Sequence, residues 1–182
     1  MLTDDAEAAA DVAELLIRAG HKKIAILGGN LSSGQISRRR LSGAIRRCAQ
    51  AGIAIDLDNY YEPCHFSLAE GYAAAKRLFD RVSDITAVFA LADVIAMGAM
   101  RYLFDQGLCV PTDVSLVGFD GIESAKYCVP RLTTIQQDTA QLAEVGVRTL
   151  LNMIEGDQPV APATIIPHCV LMGETVHTIT RS

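Results

Sequence analysis

The sequence has no apolar run long enough to cross a bilayer, no excess of positive charge and no even, closely spaced set of cysteines. Each absence removes a class of protein. A membrane helix needs about 20 consecutive apolar residues, whereas Gly, Pro and Asp break the apolar stretches here into short pieces, so a soluble chain is expected. Lys and Arg total 16 against 21 Asp and Glu, a formal charge of −5. The broad basic face that phosphate contacts demand is therefore missing, and the chain is not expected to bind nucleic acid by itself. Cys48, Cys64, Cys109, Cys128 and Cys169 are odd in number, widely spread and preceded by no secretory leader. That usage points to reduced thiols in a cytoplasm, not to a disulfide framework.

Common enzyme motifs are missing too. Gly28-Gly29 has neither the spacing of a dinucleotide loop nor the lysine of a phosphate loop. It also stands where a phosphate-accepting receiver domain would carry an acidic pair. His21, His65, His168 and His177 show no metal-ligand spacing, and the adjacent pairs Cys64-His65 and His168-Cys169 would diverge in a strand. No metal, cofactor or catalytic residue is expected. There is no internal repeat, low-complexity tract or flexible linker, and 182 residues suit one globular body.

What the sequence does contain is an alternation of two periods. From Asp5 to Ala19, apolar residues recur at helical spacing and Gly20 follows where a helix would stop. Lys23 to Gly28 is then a short apolar run of the kind buried on both faces of a sheet. Leu41, Ala44, Ile45 and Cys48 line a second helix ending near Gly52, before a weaker strand around Tyr60–Glu62. Ser67 and Glu70 form a capping-box pair that starts a helix through Tyr72, Ala75 and Phe79. Thr86–Leu91 is the next buried strand, followed by a helix through Ala96, Ala99 and Leu103 and by a strand at Val114–Gly118. After a loop containing Pro130, Thr133 and Thr134, one more helix is predicted from Asp138 to Glu155, with extended pieces at 163–167 and 174–179. Such alternation specifies an α/β fold, a doubly wound parallel sheet with helices on both faces.

Ligands of open α/β sheets bind beyond the carboxyl ends of the strands. Those segments offer a cation (Arg40), aromatic rings (Phe66, Phe119), two carboxylates (Asp93, Asp120) and an amide (Gln137). Planar donors and acceptors grip vicinal hydroxyls and a ring covers a sugar's apolar face, so the set suits a polyhydroxylated ligand. Plainer readings compete. Asp93 reads first as a helix N-cap, Phe66 as core filler or stacking platform alike, and Arg38-Arg39-Arg40 as a solvated helix start. Asp120 is the exception, since no helical run behind it needs capping.

These residues carry a resemblance. Gly20-His-Lys-Lys-Ile-Ala-Ile-Leu-Gly-Gly29, Arg40-Leu-Ser-Gly43, Phe66-Ser67, Ala92-Asp93-Val-Ile-Ala-Met-Gly98 and Val110-Pro-Thr-Asp-Val-Ser-Leu-Val-Gly-Phe-Asp120 come first, followed by Pro130-Arg-Leu-Thr-Thr-Ile135. In order and spacing they resemble the lactose/galactose repressor (LacI/GalR) family of transcriptional regulators from about Asp5 to Thr175. The resemblance implies a DNA-reading helix-turn-helix head and two subdomains like those of periplasmic sugar-binding proteins, with an effector between them. On that plan residues 3–136 and 167–182 form the C-terminal effector-binding subdomain. Residues 138–165 are then a helix and strand of a truncated N-terminal subdomain, left without their sheet, and no DNA-binding head is present. It implies a sugar-like effector gripped by Arg40, stacked on Phe66 and accepted by Asp120, with Asp93, Phe119 and Gln137 in the lining. It also implies a homodimer or association with full-length subunits, DNA contact only through the missing head, and no membrane. Departures stand at Ala92, where many members have asparagine, at Gly121, where aspartate is frequent, and at Gly173, where an arginine usually precedes Glu174. A periplasmic-type sugar-binding protein and an enzyme on the same kind of sheet stay open as alternatives.

Overall fold

The computed structural model describes residues 2–29, 34–155 and 164–179. Strand β1 (Leu2–Thr3) leads into helix α1 (Asp5–Arg18), strand β2 (Ile24–Leu27) and helix α2 (Gln35–Gln50). A short helix α3 (Leu57–Tyr60) precedes β3 (Tyr61–Glu62), α4 (Leu68–Arg81), β4 (Ala87–Ala90), α5 (Asp93–Asp105) and β5 (Ser115–Asp120). A 3₁₀ turn at Glu123–Tyr127, β6 (Thr133–Gln137), α6 (Thr139–Glu155), β7 (Ile165–Ile166) and β8 (His168–Leu171) complete the described order.

Six strands form one sheet in the order β3-β2-β4-β5-β6-β8. All neighbours in it are parallel except β6 and β8. Ile26 sits opposite Phe89, Phe89 opposite Val117 and Val117 opposite Thr133. Because successive side chains of a strand leave opposite faces, each apolar run feeds two cores. Ile24, Ile26, Ala87, Phe89 and Val117 meet α1 and α2, whereas Ala25, Leu27, Val88, Ala90 and Leu116 meet α4 and α5. The predicted double winding is observed.

Glycines set how closely the helices approach. A side chain at Gly71 would run into the backbone of Ile95, and one at Gly98 into the backbone of Leu68 and Tyr72. In an exposed helix Gly→Ala gains roughly 1 kcal/mol. Here Gly98→Ala is expected to cost about 1–3 kcal/mol by overpacking α4 against α5, as a lower midpoint in urea unfolding.

Three expectations are corrected. Thr133 and Thr134 are not loop residues: they open β6, where both are buried. The hydroxyls disguise a buried strand, and each is satisfied internally: the Gly173 N–H donates to Thr133 Oγ1 at 3.0 Å and Thr134 Oγ1 donates to Asp93 Oδ1 at 2.5 Å. The segment 174–179 is not a strand. It runs irregularly beneath the sheet, where Leu116 N–H donates to the Thr175 carbonyl at 2.8 Å and Ile179 N–H to the Ala19 carbonyl at 2.7 Å. The edge strand is instead His168–Leu171, antiparallel to β6. Nor is β7 left unpaired, because Leu2 and Thr3 of β1 lie parallel to Ile165 and Ile166 in a separate two-stranded sheet. Gly156, read as the end of α6, lies outside the described residues.

Candidate functional site

Arg40, Phe119, Asp120 and Gln137 converge at the carboxyl ends of β4, β5 and β6. Helix α2 begins at Gln35, so the arginine triplet lies inside it, not at its start. Helical spacing exposes Arg38 and Arg39 and turns Arg40 inward, where it is buried. The plain reading of the triplet therefore holds for two of its members. Arg40 Nε donates to Asp5 Oδ1 at 2.8 Å, and Nη1 donates to the Leu91 carbonyl at 2.6 Å and to Asp120 Oδ1 at 3.2 Å. Its guanidinium lies 3.6 Å from the centroid of the Phe119 ring.

The network continues past the arginine. Gln137 Nε2 donates to Asp120 Oδ1 at 2.7 Å, and Thr3 Oγ1 donates to Gln137 Oε1 at 3.0 Å. One guanidinium thus faces two carboxylates, in surroundings that lower the local dielectric and sharpen every charge. Burial pushes the Asp120 carboxyl above its ordinary value, against the pull of Arg40 and the hydrogen bond from Gln137. Asp120 also holds a φ of +115°, the one positive φ among the described residues other than glycines. A non-glycine residue in that region is strained, and such strain concentrates at functional sites. Gly121 follows at φ +69°, and a side chain there would overlap Gln136.

The other candidates are placed differently. Asp93 does not cap α5: Ala92 is the N-cap residue and makes no side-chain cap hydrogen bond. The fully buried Asp93 carboxylate instead receives the Thr134 hydroxyl and, at 2.9 Å on Oδ2, the Ile122 N–H. It joins α5 to β6 and to the turn after β5, beneath the site. A side chain at Gly118 would collide with it, so the strand passes there as bare backbone. Phe119 is fully buried and serves as the bed of Arg40. Phe66 is half-exposed on the loop between β3 and α4, outside the hydrogen-bonded network.

Sequence reasoning missed Asp5 and Thr3. Asp5 looks like an ordinary acidic residue in a first helical turn, and only its burial beside a residue 35 positions away gives it a role. A hollow of 430 Å³ adjoins the network at Gln137, between the end of β6, the start of α6 and Pro167–Cys169. The buried thiols of Cys48 and Cys64 are pushed up by burial to about 11 and about 12, which leaves them protonated at neutral pH. Among the described residues no group of three His, Cys, Asp or Glu side chains could hold a metal ion. No described helix is long and apolar enough to cross a membrane.

A cationic fork, an opposed carboxylate and an amide, grouped at the ligand-binding edge of a doubly wound sheet, can bind hydroxyl groups. The profile of the periplasmic binding protein-like domain family matches residues 13–176. The chain belongs to that family. Its relatives bear out the resemblance to the lactose/galactose repressors. Over 165 residues this periplasmic binding protein-like chain is 36% identical to the ribose operon repressor of Haemophilus influenzae, covering 90% of this chain and 49% of that protein. A LacI transcriptional regulator from Bacillus cereus subsp. cytotoxis superposes with a TM-score of 0.92 at 32% identity, over 98% of this chain and 62% of that one. A LacI family regulator from Enterococcus faecium, solved with bound ribose, superposes at 0.89 with 27% identity, over 98% of this chain and 65% of that one. The chain spans about half the length of the curated relatives it matches.

Proposed function

We propose that this chain is the effector-sensing part of a LacI-type transcriptional regulator, which binds a sugar or sugar derivative and turns nothing over. Residues 3–136 and 167–182 form the effector subdomain in this reading, and residues 138–165 belong to the other subdomain. The separate β1–β7 pair supports that division, because these strands leave the six-stranded sheet at both crossings. The observation that carries the function is the Arg40–Asp120–Gln137 cluster at the carboxyl edge of the sheet. A ribose-bound relative of the same fold supports a pentose or a related polyol as the effector.

If one wall of a cleft is present, a bound sugar is solvated on its other side and each hydrogen bond contributes only about 0.5–1.5 kcal/mol. D-Ribose is therefore expected to bind in the millimolar range or weaker, a shortfall of roughly 4 kcal/mol against micromolar binding. Chemical shifts followed during titration with D-ribose check this, with binding lost in Arg40→Gln. Micromolar binding would overturn the one-walled cleft, and turnover of any sugar would overturn the non-enzymatic reading.

Helix α6 exposes Val147, Leu150, Leu151 and Ile154 by half or more of their surface. An apolar stripe of that kind is covered in a working protein, so the chain is expected to self-associate or to pair with intact subunits. Sedimentation at micromolar concentration checks this, and a clean monomer would count against it.

A further inference from the structure

We infer that Asp5 is a positioning residue for the ligand site: it holds the Arg40 guanidinium in its binding orientation, leaving Asp120 as the partner for which a ligand competes. This rests on the sugar-binding reading above for its purpose, though not for its geometry. Arg40 is held at three points, and the three are unequal. The contact from Nε to Asp5 is 2.8 Å and lies between side chains 6% and 8% exposed, whereas the one from Nη1 to Asp120 is 3.2 Å and its acid is 32% exposed. The Nη1 contact to the Leu91 carbonyl, 2.6 Å, is to backbone at the end of β4 and is part of the sheet's framework. A planar fork pinned at Nε and Nη1 and laid on the Phe119 ring has its plane fixed before any ligand arrives.

The local needs of α1 do not explain Asp5. The cap of that helix is Asp4, whose side chain accepts from the Glu7 N–H at 3.1 Å, and Glu7 supplies a second acid to the first turn. Asp5 has no capping duty left, yet its carboxylate is buried, and what it meets there is Arg40. Asp120 is built the opposite way. Its strained backbone directs it off the end of β5, it is partly open to solvent, and its Oδ1 is shared between Arg40 and Gln137. A ligand hydroxyl that donates to Asp120 replaces a long contact and leaves the Asp5–Arg40 pair intact. Asp5 also follows directly on the crossing at Thr3 and Asp4, so the orientation of the arginine is tied to the point where the chain enters the subdomain.

The test needs no ligand. In ¹⁵N-labelled protein the Arg40 Nε–H signal, identified by its loss in Arg40→Lys, reports that hydrogen bond directly. Its exchange with water should stay slow in Asp120→Asn and quicken about tenfold or more in Asp5→Asn, while Asp5→Glu restores part of the protection. D-Ribose titrated into the same proteins should bind at least about tenfold more weakly to Asp5→Asn than to wild type, with folding verified by circular dichroism. Protection that survives Asp5→Asn and disappears in Asp120→Asn would overturn the assignment. A wild-type chain indifferent to D-ribose would instead count against the sugar reading, and the exchange measurement would still decide on Asp5.

Discussion

Arg40→Ala is expected to lower the stability of the chain by about 3–5 kcal/mol and to abolish sugar binding, although the plain reading of the Arg38-Arg39-Arg40 triplet is a solvated helix start. The loss comes from what the arginine leaves behind. Asp5 is 7% exposed, and without its partner at 2.8 Å it becomes a charge buried with no compensation. The Leu91 carbonyl loses a donor at 2.6 Å, and the face of the Phe119 ring loses the group packed on it. Asp120 contributes less to the penalty, since its partial exposure lets water replace the guanidinium and Gln137 still donates to it. Removing both charges together should therefore cost less than removing the cation alone, so Arg40→Leu combined with Asp5→Leu is expected to unfold at a higher urea concentration than Arg40→Ala. Binding returns in neither variant, because the fork of donors has no substitute nearby. A loss below about 1 kcal/mol for Arg40→Ala would place the pair among hydrated surface ion pairs and would remove the basis for a preset arginine.

That contrast shows how far this sequence can be read. The fold was legible because its signals are local: a four-residue apolar run such as Ile24–Leu27 and the Ser67–Glu70 pair at the start of α4 each declare themselves within one turn or strand. The strand β6 was missed because threonine hydroxyls look like loop chemistry until Asp93, Gly173 and Thr175 are brought beside them. The site was half legible for the same reason. Position after a strand singled out Arg40, Asp120 and Gln137, but nothing within a short window distinguishes Asp5, which reaches Arg40, from Asp4, which caps a helix. Asp93 was misread in the same way. A carboxylate just before a helical run is usually its cap, and the Thr134 hydroxyl that claims it lies 41 residues away.

Asp93→Asn is expected to change how stability depends on pH, by about 3 kcal/mol between pH 4 and pH 7. Burial pushes the Asp93 carboxyl up from its ordinary 3.8 to about 6, with the nearby Asp120 charge adding to the shift, and the hydrogen bonds from Thr134 and Ile122 only partly oppose it. A carboxyl whose value is raised by folding prefers to keep its proton in the folded state. Its contribution is thus most favourable below the unfolded value of 3.8 and is lost as pH rises through about 6. Each pH unit across that window is worth about 1.4 kcal/mol. His21 works in the opposite direction: burial holds its imidazole below the ordinary 6.5, so its contribution is present above that value and is lost as pH falls through the folded one. In the wild type the two trends oppose each other over the mildly acidic range, and a single stability profile would hide both. Asparagine is isosteric, can accept from the Ile122 N–H and can donate to the Thr134 oxygen, so the variant keeps the connection while removing the titration. His21 contributes equally to both proteins, and subtracting their urea-unfolding free energies at each pH isolates Asp93. The difference should shift in favour of Asp93→Asn from pH 4 to pH 6 and then level off; parallel profiles would mean that Asp93 ionises in the folded chain as it does in the unfolded one.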